Sequence, residues 1–253
     1  MQLIPDNDTL NKLYPSLDSS HCFVGRLRLK AGEEFIVYDL EQRGVLLFPC
    51  GLAQVLARSK IAQARILSGF MPPLTQAIFD QHGLLSAMNL YGRHSISAVV
   101  TKDDRKNGGQ GIRKWGSVED VFNQASLGVL PYPFVLQPFF PDATDIRVII
   151  LGDYQESYQR HNPDNFRNNL HCGGTGTTIQ LNASQQALCD NVMKRGKFPY
   201  AHIDLLTTAD GRCYLGEINL RGGLRGAKVK GAQYQEIISQ IHQSFLKQHA
   251  LLS

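Results

Sequence analysis

Residues 200–220 commit the chain to a β-hairpin. Two β-type runs, Tyr200–Leu206 and Cys213–Leu220, flank Asp210-Gly211, and an Asp-Gly pair between such runs is a strong hairpin signal. Counting outward from that pair sets Asp204 opposite Glu217. Residues two apart on a strand share a face, so Glu217 and Asn219 point the same way. Ile203, Leu205, Leu215 and Ile218 form the opposite, core-facing side, with Gly216 interrupting the alternation. Carboxylates facing each other across a ladder repel unless a cation lies between them. Two carboxylates and an amide suit a hard cation such as Mg²⁺, with Mn²⁺ as an alternative. The competing interpretation is a solvated sheet face, since charged residues are mostly exposed.

With 253 residues, 43% of them hydrophobic and 19% charged, the chain has enough apolar material for one large or two to three small globular domains. The net charge of +4 is a mild basic excess, suited to anionic ligands. The basic residues are dispersed, with no stripe interleaved with stacking aromatics, which argues against nucleic acid. Cys22, Cys50, Cys172, Cys189 and Cys213 show no C-x-x-C spacing; free thiols in a reducing compartment are the expectation. No basic start with an apolar run opens the chain, and no apolar run approaches the roughly 20 residues of a membrane span. A cytoplasmic protein without a membrane partner is expected; a homo-oligomer is compatible with this composition.

Along the chain, Cys22–Leu29, Phe35–Tyr38 and Val45–Phe48 suggest strands, making the N-terminal region strand-rich. Residues 51–67 suggest one helix, and Thr75 suggests the N-cap of another running through Phe79. Ser95–Lys102 is an expected strand, and Ser117 an N-cap with Asp120 in the first turn. Phe134–Gln137 and Ile146–Leu151 are expected buried strands, with Tyr154–His161 paired back across Gly152-Asp153. Helices are expected over 184–194 and 234–246. Strands outnumber helices and pair as hairpins, which points to α+β packing rather than a doubly wound parallel sheet.

Four further clusters carry chemistry. Lys102 ends a strand before Gly108-Gly109-Gln110-Gly111; glycine N–H groups and a lysine can cradle phosphate, although the Walker order is absent. Asp145 and Arg147 share a face around Ile146, either for a ligand or as a self-satisfied ion pair. Arg167, Asn168 and Asn169 offer a guanidinium fork and two amides beside Gly173-Gly174. Arg221, Arg225 and Lys228 follow the hairpin directly and favour an anion near it.

The order of these pieces resembles the ATP-grasp superfamily. It is most similar to the branch of the ribosomal-protein glutamate ligases, through Asp145-Ile-Arg147, Phe166-Arg-Asn-Asn-Leu-His-Cys-Gly-Gly174, and Ile203-Asp with Gly216-Glu-Ile-Asn219. The resemblance covers about residues 50–230. It implies an α+β, ATP-grasp fold with two subdomains gripping ATP, divided as 1–60 (a short, strand-rich, reduced preceding domain), 61–132 and 133–253. It implies that Lys60, Lys102, Arg167, Asn168 and Asn169 reach ATP phosphates. Gly109 and Gly111 would belong to the closing loop, Gln137 and Phe139 to the adenine hinge, and Asp145 to the nucleotide pocket. Asp204, Glu217 and Asn219 would hold Mg²⁺, and Arg147 and Arg225 would neutralise the acyl phosphate or grip the acceptor carboxylate.

The implied activity is ADP-forming carboxylate–amine ligation, with a thiol as a less common acceptor. The partners would be a small acid (amino acid, peptide or carboxylic acid) and an amine. A basic loop after the hairpin, Leu220-Arg-Gly-Gly-Leu-Arg-Gly226, suggests an acidic substrate. A small-molecule kinase on the same fold and an ATP-binding module without turnover are the alternatives.

Overall fold

The computed structural model describes residues 1–106, 108–168, 170 and 173–249. In chain order the first elements are β1 (Gln2–Ile4), α1 (Asn7–Leu13), β2 (His21–Val24), α2 (Glu34–Gln42), β3 (Leu46–Phe48), α3 (Gly51–Leu56) and α4 (Lys60–Ile66). Next come β4 (Gln76–Ile78), α5 (Gln81–Arg93), β5 (Val99–Asp103), β6 (Ile112–Trp115), α6 (Val118–Ser126) and β7 (Phe134–Pro138). The chain continues through β8 (Thr144–Leu151), β9 (Tyr154–His161), β10 (Thr175–Thr178), α7 (Ala183–Gly196), β11 (Tyr200–Thr207), β12 (Cys213–Asn219) and α8 (Gly231–Gln248).

Three sheets result. The N-terminal one is parallel in the order β1-β2-β3, and the other two are antiparallel, β4-β7-β5-β6 and β10-β9-β8-β11-β12. The α+β expectation holds for the two large sheets. The strand-rich N-terminus does not: parallel strands need crossovers, and α1 and α2 supply them, so residues 1–48 form a small α/β unit. Phe35–Tyr38 is helical because its apolar residues split between two faces. Val37 and Leu40 are buried, while Phe35 and Tyr38 are exposed, a spacing of three that belongs to a helix. The strand expected from Cys22 ends at Val24.

Two other expectations change. Residues 51–67 break into two helices because Ser59 is extended and its hydroxyl accepts from the Ala62 N–H at 3.0 Å, capping α4. Thr75 caps nothing. It leads into strand β4, and the next helix starts after Asp80, whose carboxylate accepts from the Gly83 N–H at 2.7 Å. The expected Ser117 cap is present as a full capping box with Asp120.

The cores follow the sheets. One buries Ile4, Phe23, Leu40 and Leu47 of the N-terminal unit, and a second packs α5 and α6 on the four-stranded sheet. The largest joins α3, α4, α7 and α8 to the five-stranded sheet. Helix α4, at the proposed boundary near residue 60, packs against β4 and β7 of the four-stranded sheet and against β12 of the five-stranded one.

Alternation splits that sheet cleanly. Ile146, Val148, Ile203, Leu205, Leu215 and Ile218 are buried on one face. On the other, α8 covers only one end, where Tyr200 meets His242 and His202 meets Tyr234. The remaining end, with Arg147, Asp204 and Glu217, opens into a cleft.

Strand β12 is the sheet's edge, and an unpaired edge is a liability. Gln63 of α4, 1% exposed, closes it. Its amide donates to the Ile218 carbonyl at 2.8 Å and accepts from the Ile218 N–H at 3.1 Å, with a further bond to the Leu56 carbonyl at 2.7 Å. Ile218 lies between Glu217 and Asn219, so Gln63 fixes the strand that carries both. Gln63→Ala should lower unfolding stability by about 2–4 kcal/mol, the cost of leaving these buried backbone groups unpaired, as a shift of the urea midpoint at constant m-value.

Candidate active site

The cleft has a volume of about 1200 Å³ and runs between the four- and five-stranded sheets, with part of the N-terminal unit at its rim. Its floor is a row of residues in register across four strands: Tyr158 of β9, Arg147 of β8, Asp204 of β11 and Glu217 of β12. Asp145 and Arg160 form the next row.

These side chains make one ion-pair chain. Arg147 grips Asp204 with two guanidinium nitrogens, Nε to Oδ1 and Nη2 to Oδ2, the latter at 3.0 Å, the strong bidentate geometry. Arg160 bridges Asp204 at 3.1 Å and Asp145, its Nε donating at 2.6 Å. Burial alone would raise the Asp204 pKa, but the charges of Arg147 and Arg160 outweigh it and hold the carboxyl well below its ordinary range. Asp145 shifts the other way, up to about 6, because burial and the neighbouring Asp204 outweigh Arg160. Arg160 itself is raised: its two carboxylates overcome burial.

Two lysines approach from the opposite wall. Lys60, 6% exposed, sits 3.1 Å from Glu217 and donates to the Lys106 carbonyl at 2.5 Å. Lys102 donates to the Gly216 carbonyl at 3.1 Å. Burial lowers the Lys102 pKa, with Glu217 opposing. Arg167 closes the same end, its Nε donating to the Gly109 carbonyl at 3.3 Å and Nη2 to that of Ile112. Both Lys60 and Arg167 therefore hold the glycine loop by its carbonyls.

Thus Lys60, Lys102, Gly109, Gln137, Phe139, Asp145, Arg147, Arg167, Asn168, Asp204, Glu217, Asn219 and Arg225 all line one cleft. Gly111 does not; its carbonyl accepts from Asp103 to close the β5–β6 hairpin. Asn169 lies outside the described residues. The Phe139 N–H donates to Ala98 at 2.9 Å, so the hinge offers an adenine neither this donor nor one from Pro138. The Phe139 ring lies 4.1 Å under the Lys114 ammonium. Asn168 accepts from the Asn162 N–H at 3.1 Å and braces its own loop. Arg225 donates to the Leu170 carbonyl at 2.9 Å. Among the described residues no three His, Cys, Asp or Glu side chains gather as a metal cluster.

Residues 117–241 match the family model for the RimK-like ATP-grasp domain. The chain carries a RimK-like ATP-grasp domain. It is 30% identical over 178 residues to a probable alpha-L-glutamate ligase of Haemophilus ducreyi, covering 68% of this chain and 57% of that protein. The chain therefore spans little more than half of this relative's length. The fold is similar to that of D-cycloserine synthetase, with a TM-score of 0.61 at 16% identity over 89% of this chain and 86% of the other. It is also similar to the ATP-grasp ligase PsnB solved with a precursor variant, Mg and ADP, with a TM-score of 0.57 at 14% identity over 87% and 77% of the two chains. The ATP-grasp fold is thus shared. No helix among the described residues is long and apolar enough to cross a membrane.

Two residues on the cleft face of the five-stranded sheet, one lining the cleft and one under α8 beside it, are missing from the expectations above. Arg160 was discoverable: counting outward from Gly152-Asp153 places it opposite Asp145. His202 was hidden in an apolar run. It is 1% exposed, its Nε2 lies 3.2 Å from the Tyr234 hydroxyl, and its buried Nδ1 has no hydrogen-bond partner. Burial, then the Arg147 charge, drives its pKa down to about 3. The folded protein therefore keeps His202 neutral where the unfolded chain takes up a proton. Stability should be full above pH 6.5 and fall by up to about 1.4 kcal/mol per pH unit between 6.5 and 3 from this group. Urea midpoints at pH 7 and pH 4.5 should show that loss, and His202→Gln should shrink it.

Proposed function

We propose that this chain is an ATP- and Mg²⁺-dependent carboxylate–amine ligase that works through an acyl phosphate. The observation that carries the reading is the cleft floor itself. Arg147, Asp204 and Glu217 stand in one cross-strand row, with Lys60 and Lys102 reaching Glu217 and the Gly216 carbonyl beside it. A cleft of this kind suits a polyphosphate and a carboxylate brought together.

In the reaction, a substrate carboxylate oxygen attacks the γ-phosphorus of ATP, the bond to the β-phosphate oxygen breaks, and ADP leaves. An amine then attacks the acyl carbon, loses a proton, and displaces inorganic phosphate. Little covalent work falls to the protein. Its contributions are positioning and charge neutralisation. Lys60, Lys102 and Arg167 hold phosphate oxygens, exchanging their present loop and strand carbonyls for the ligand, while the Gly109 backbone cradles them. Gln137, Phe139 and Asp145 line the nucleoside end, with Asn168 on the adjacent loop. Arg147 and Arg225 face the acyl phosphate and the acceptor.

The residues fit a hard cation. Asp204, Glu217 and Asn219 offer oxygen alone, Asp204 is held ionised, and the Asn219 side chain makes no hydrogen bond among the described residues. Mg²⁺, or Mn²⁺ in its place, would offset the triphosphate charge there. An ion held there would have to share Asp204 with Arg147 and Glu217 with Lys60. The partners implied are a small acid and an amine.

The test is Mg²⁺-dependent release of ADP and phosphate across a panel of carboxylic acids, each with and without amino acids. Release of both products only with acid and amine together is expected. ADP without free phosphate would mean a kinase, and nucleotide binding without turnover a binding module. Glu217→Gln should lower kcat at least about a hundredfold and leave the far-ultraviolet circular dichroism spectrum unchanged; full Mg²⁺-dependent turnover in this variant would refute the metal assignment.

A further inference from the structure

The cleft is more basic than a nucleotide alone requires. Nine Lys and Arg line it against four Asp and Glu, an excess of five, while the whole chain's excess is four. Most of these cations are engaged. Arg147 and Arg160 hold Asp204 and Asp145, Lys60 holds Glu217, and Arg167 holds loop carbonyls. Three are different: among the described residues the side chains of Lys106, beside the glycine loop, and of Arg26 and Arg221, away from it in sequence, make no ion pair or hydrogen bond, and all three are exposed at the cleft.

The backbones of Arg26 and Arg221, by contrast, are held firmly. Gln54, 1% exposed, donates to the Gly25 carbonyl at 2.7 Å and accepts from the Leu27 N–H at 3.2 Å. Asn7 donates to the Arg26 carbonyl at 3.0 Å and accepts from the Arg28 N–H at 2.6 Å. Four side-chain hydrogen bonds thus bracket one exposed arginine, and Leu27 is buried next to it. On the facing side, Gly222 anchors the loop that carries Arg221. A Cβ at 222 would lie 2.6 Å from both Arg147 Nη1 and His202 Nδ1, so only glycine lets this loop seat directly on the reaction floor. Both side chains open on the same cleft, Arg26 from the N-terminal unit and Arg221 from the loop that follows β12.

Two unpaired like charges facing one cleft repel until an anion joins them, and guanidinium forks match carboxylate and phosphate geometry. We propose that Arg26 and Arg221 form a subsite for an additional oxyanion, carboxylate or phosphate, on the non-nucleotide substrate, beyond the group that reacts. Arg26 then acts as a specificity residue, and the N-terminal α/β unit contributes directly to substrate choice. The inference rests on the ligase reading above.

The test is calorimetric titration of the whole chain loaded with Mg·ADP, using the peptides Glu-Glu-Glu and Gln-Gln-Gln, which share a terminal carboxylate, and the tri-phosphoserine peptide. Wild type should bind Glu-Glu-Glu about tenfold or more tighter than Gln-Gln-Gln, the effect of one charge-assisted hydrogen bond. Arg26→Gln and Arg221→Gln should each bring the two peptides within about twofold while the Mg·ADP affinity stays as in wild type. Arg28→Gln, whose side chain is 74% exposed and paired with Asp8, should keep the preference. A phosphoserine peptide that binds tighter still would assign the oxyanion as phosphate in the same subsite. Equal binding of the Glu and Gln peptides, no peptide binding to the ADP-loaded protein, or a preference retained in Arg26→Gln would overturn the proposal. Failure to bind Mg·ADP at all would instead remove the ligase reading on which it stands.

Discussion

Asp204 is the residue on which the cleft depends. It is a carboxylate taken largely out of water, and such a charge survives only with partners. Arg147 and Arg160 supply them from two neighbouring strands, in register with Asp204 and Asp145. The pairing fixes three strands relative to one another at their polar end. It also sorts the acids: the two arginines keep Asp204 ionised, while Asp145, sharing only Arg160, is pushed up. One sheet face thereby presents a permanent anion beside a carboxylate that titrates nearer neutrality.

The opposite wall is built by different means. Lys60 begins α4 and Lys102 ends the loop-proximal half of β5, yet both reach the β12 edge. Lys60 does so because Gln63, one turn along α4, is bonded to the Ile218 backbone. A buried amide satisfying a strand edge is a positional device as much as a stabilising one. Gln54 plays the same part for residues 25–27. The two glutamines carry no chemistry themselves, but they set where Glu217, Lys60 and Arg26 stand.

Much of the floor was legible because strand register can be counted. The pairing of Asp204 with Glu217 emerged from Asp210-Gly211, although two departures cancel to give it. The hairpin loop spans 208–212, so Leu205 pairs with Leu215, and a bulge at Gly216 then restores Asp204 opposite Glu217. Register through β8 and β9 was equally countable and would have revealed Arg160. What could not be counted was whatever depends on packing between distant segments. Phe35–Tyr38 carries β-type residues, but the neighbouring Val37 and Leu40 find a core only as a helix. Ser59 divides 51–67 because its hydroxyl caps α4, a local competition that hydrophobic spacing does not register. His202 was invisible since its neighbours Ala201 and Ile203 read as a buried strand and only Tyr234 of α8 gives the ring its partner.

The charge distribution joins these strands of argument. A net charge of +4 spread over 253 residues gives no hint of a binding site, since the basic residues are dispersed in sequence. Folding concentrates the excess: the cleft holds five more cations than anions, leaving the rest of the chain close to neutral. Field lines focus in a concave, partly dry site, so an anion entering the cleft meets a stronger attraction than the sequence average implies. The internal acids take up part of that field through fixed ion pairs with Arg147, Arg160 and Lys60. The field that remains comes from the cations beside the glycine loop, Lys106 and Arg167, and from Arg26 and Arg221. There an incoming anion finds cations that no carboxylate of the protein already neutralises.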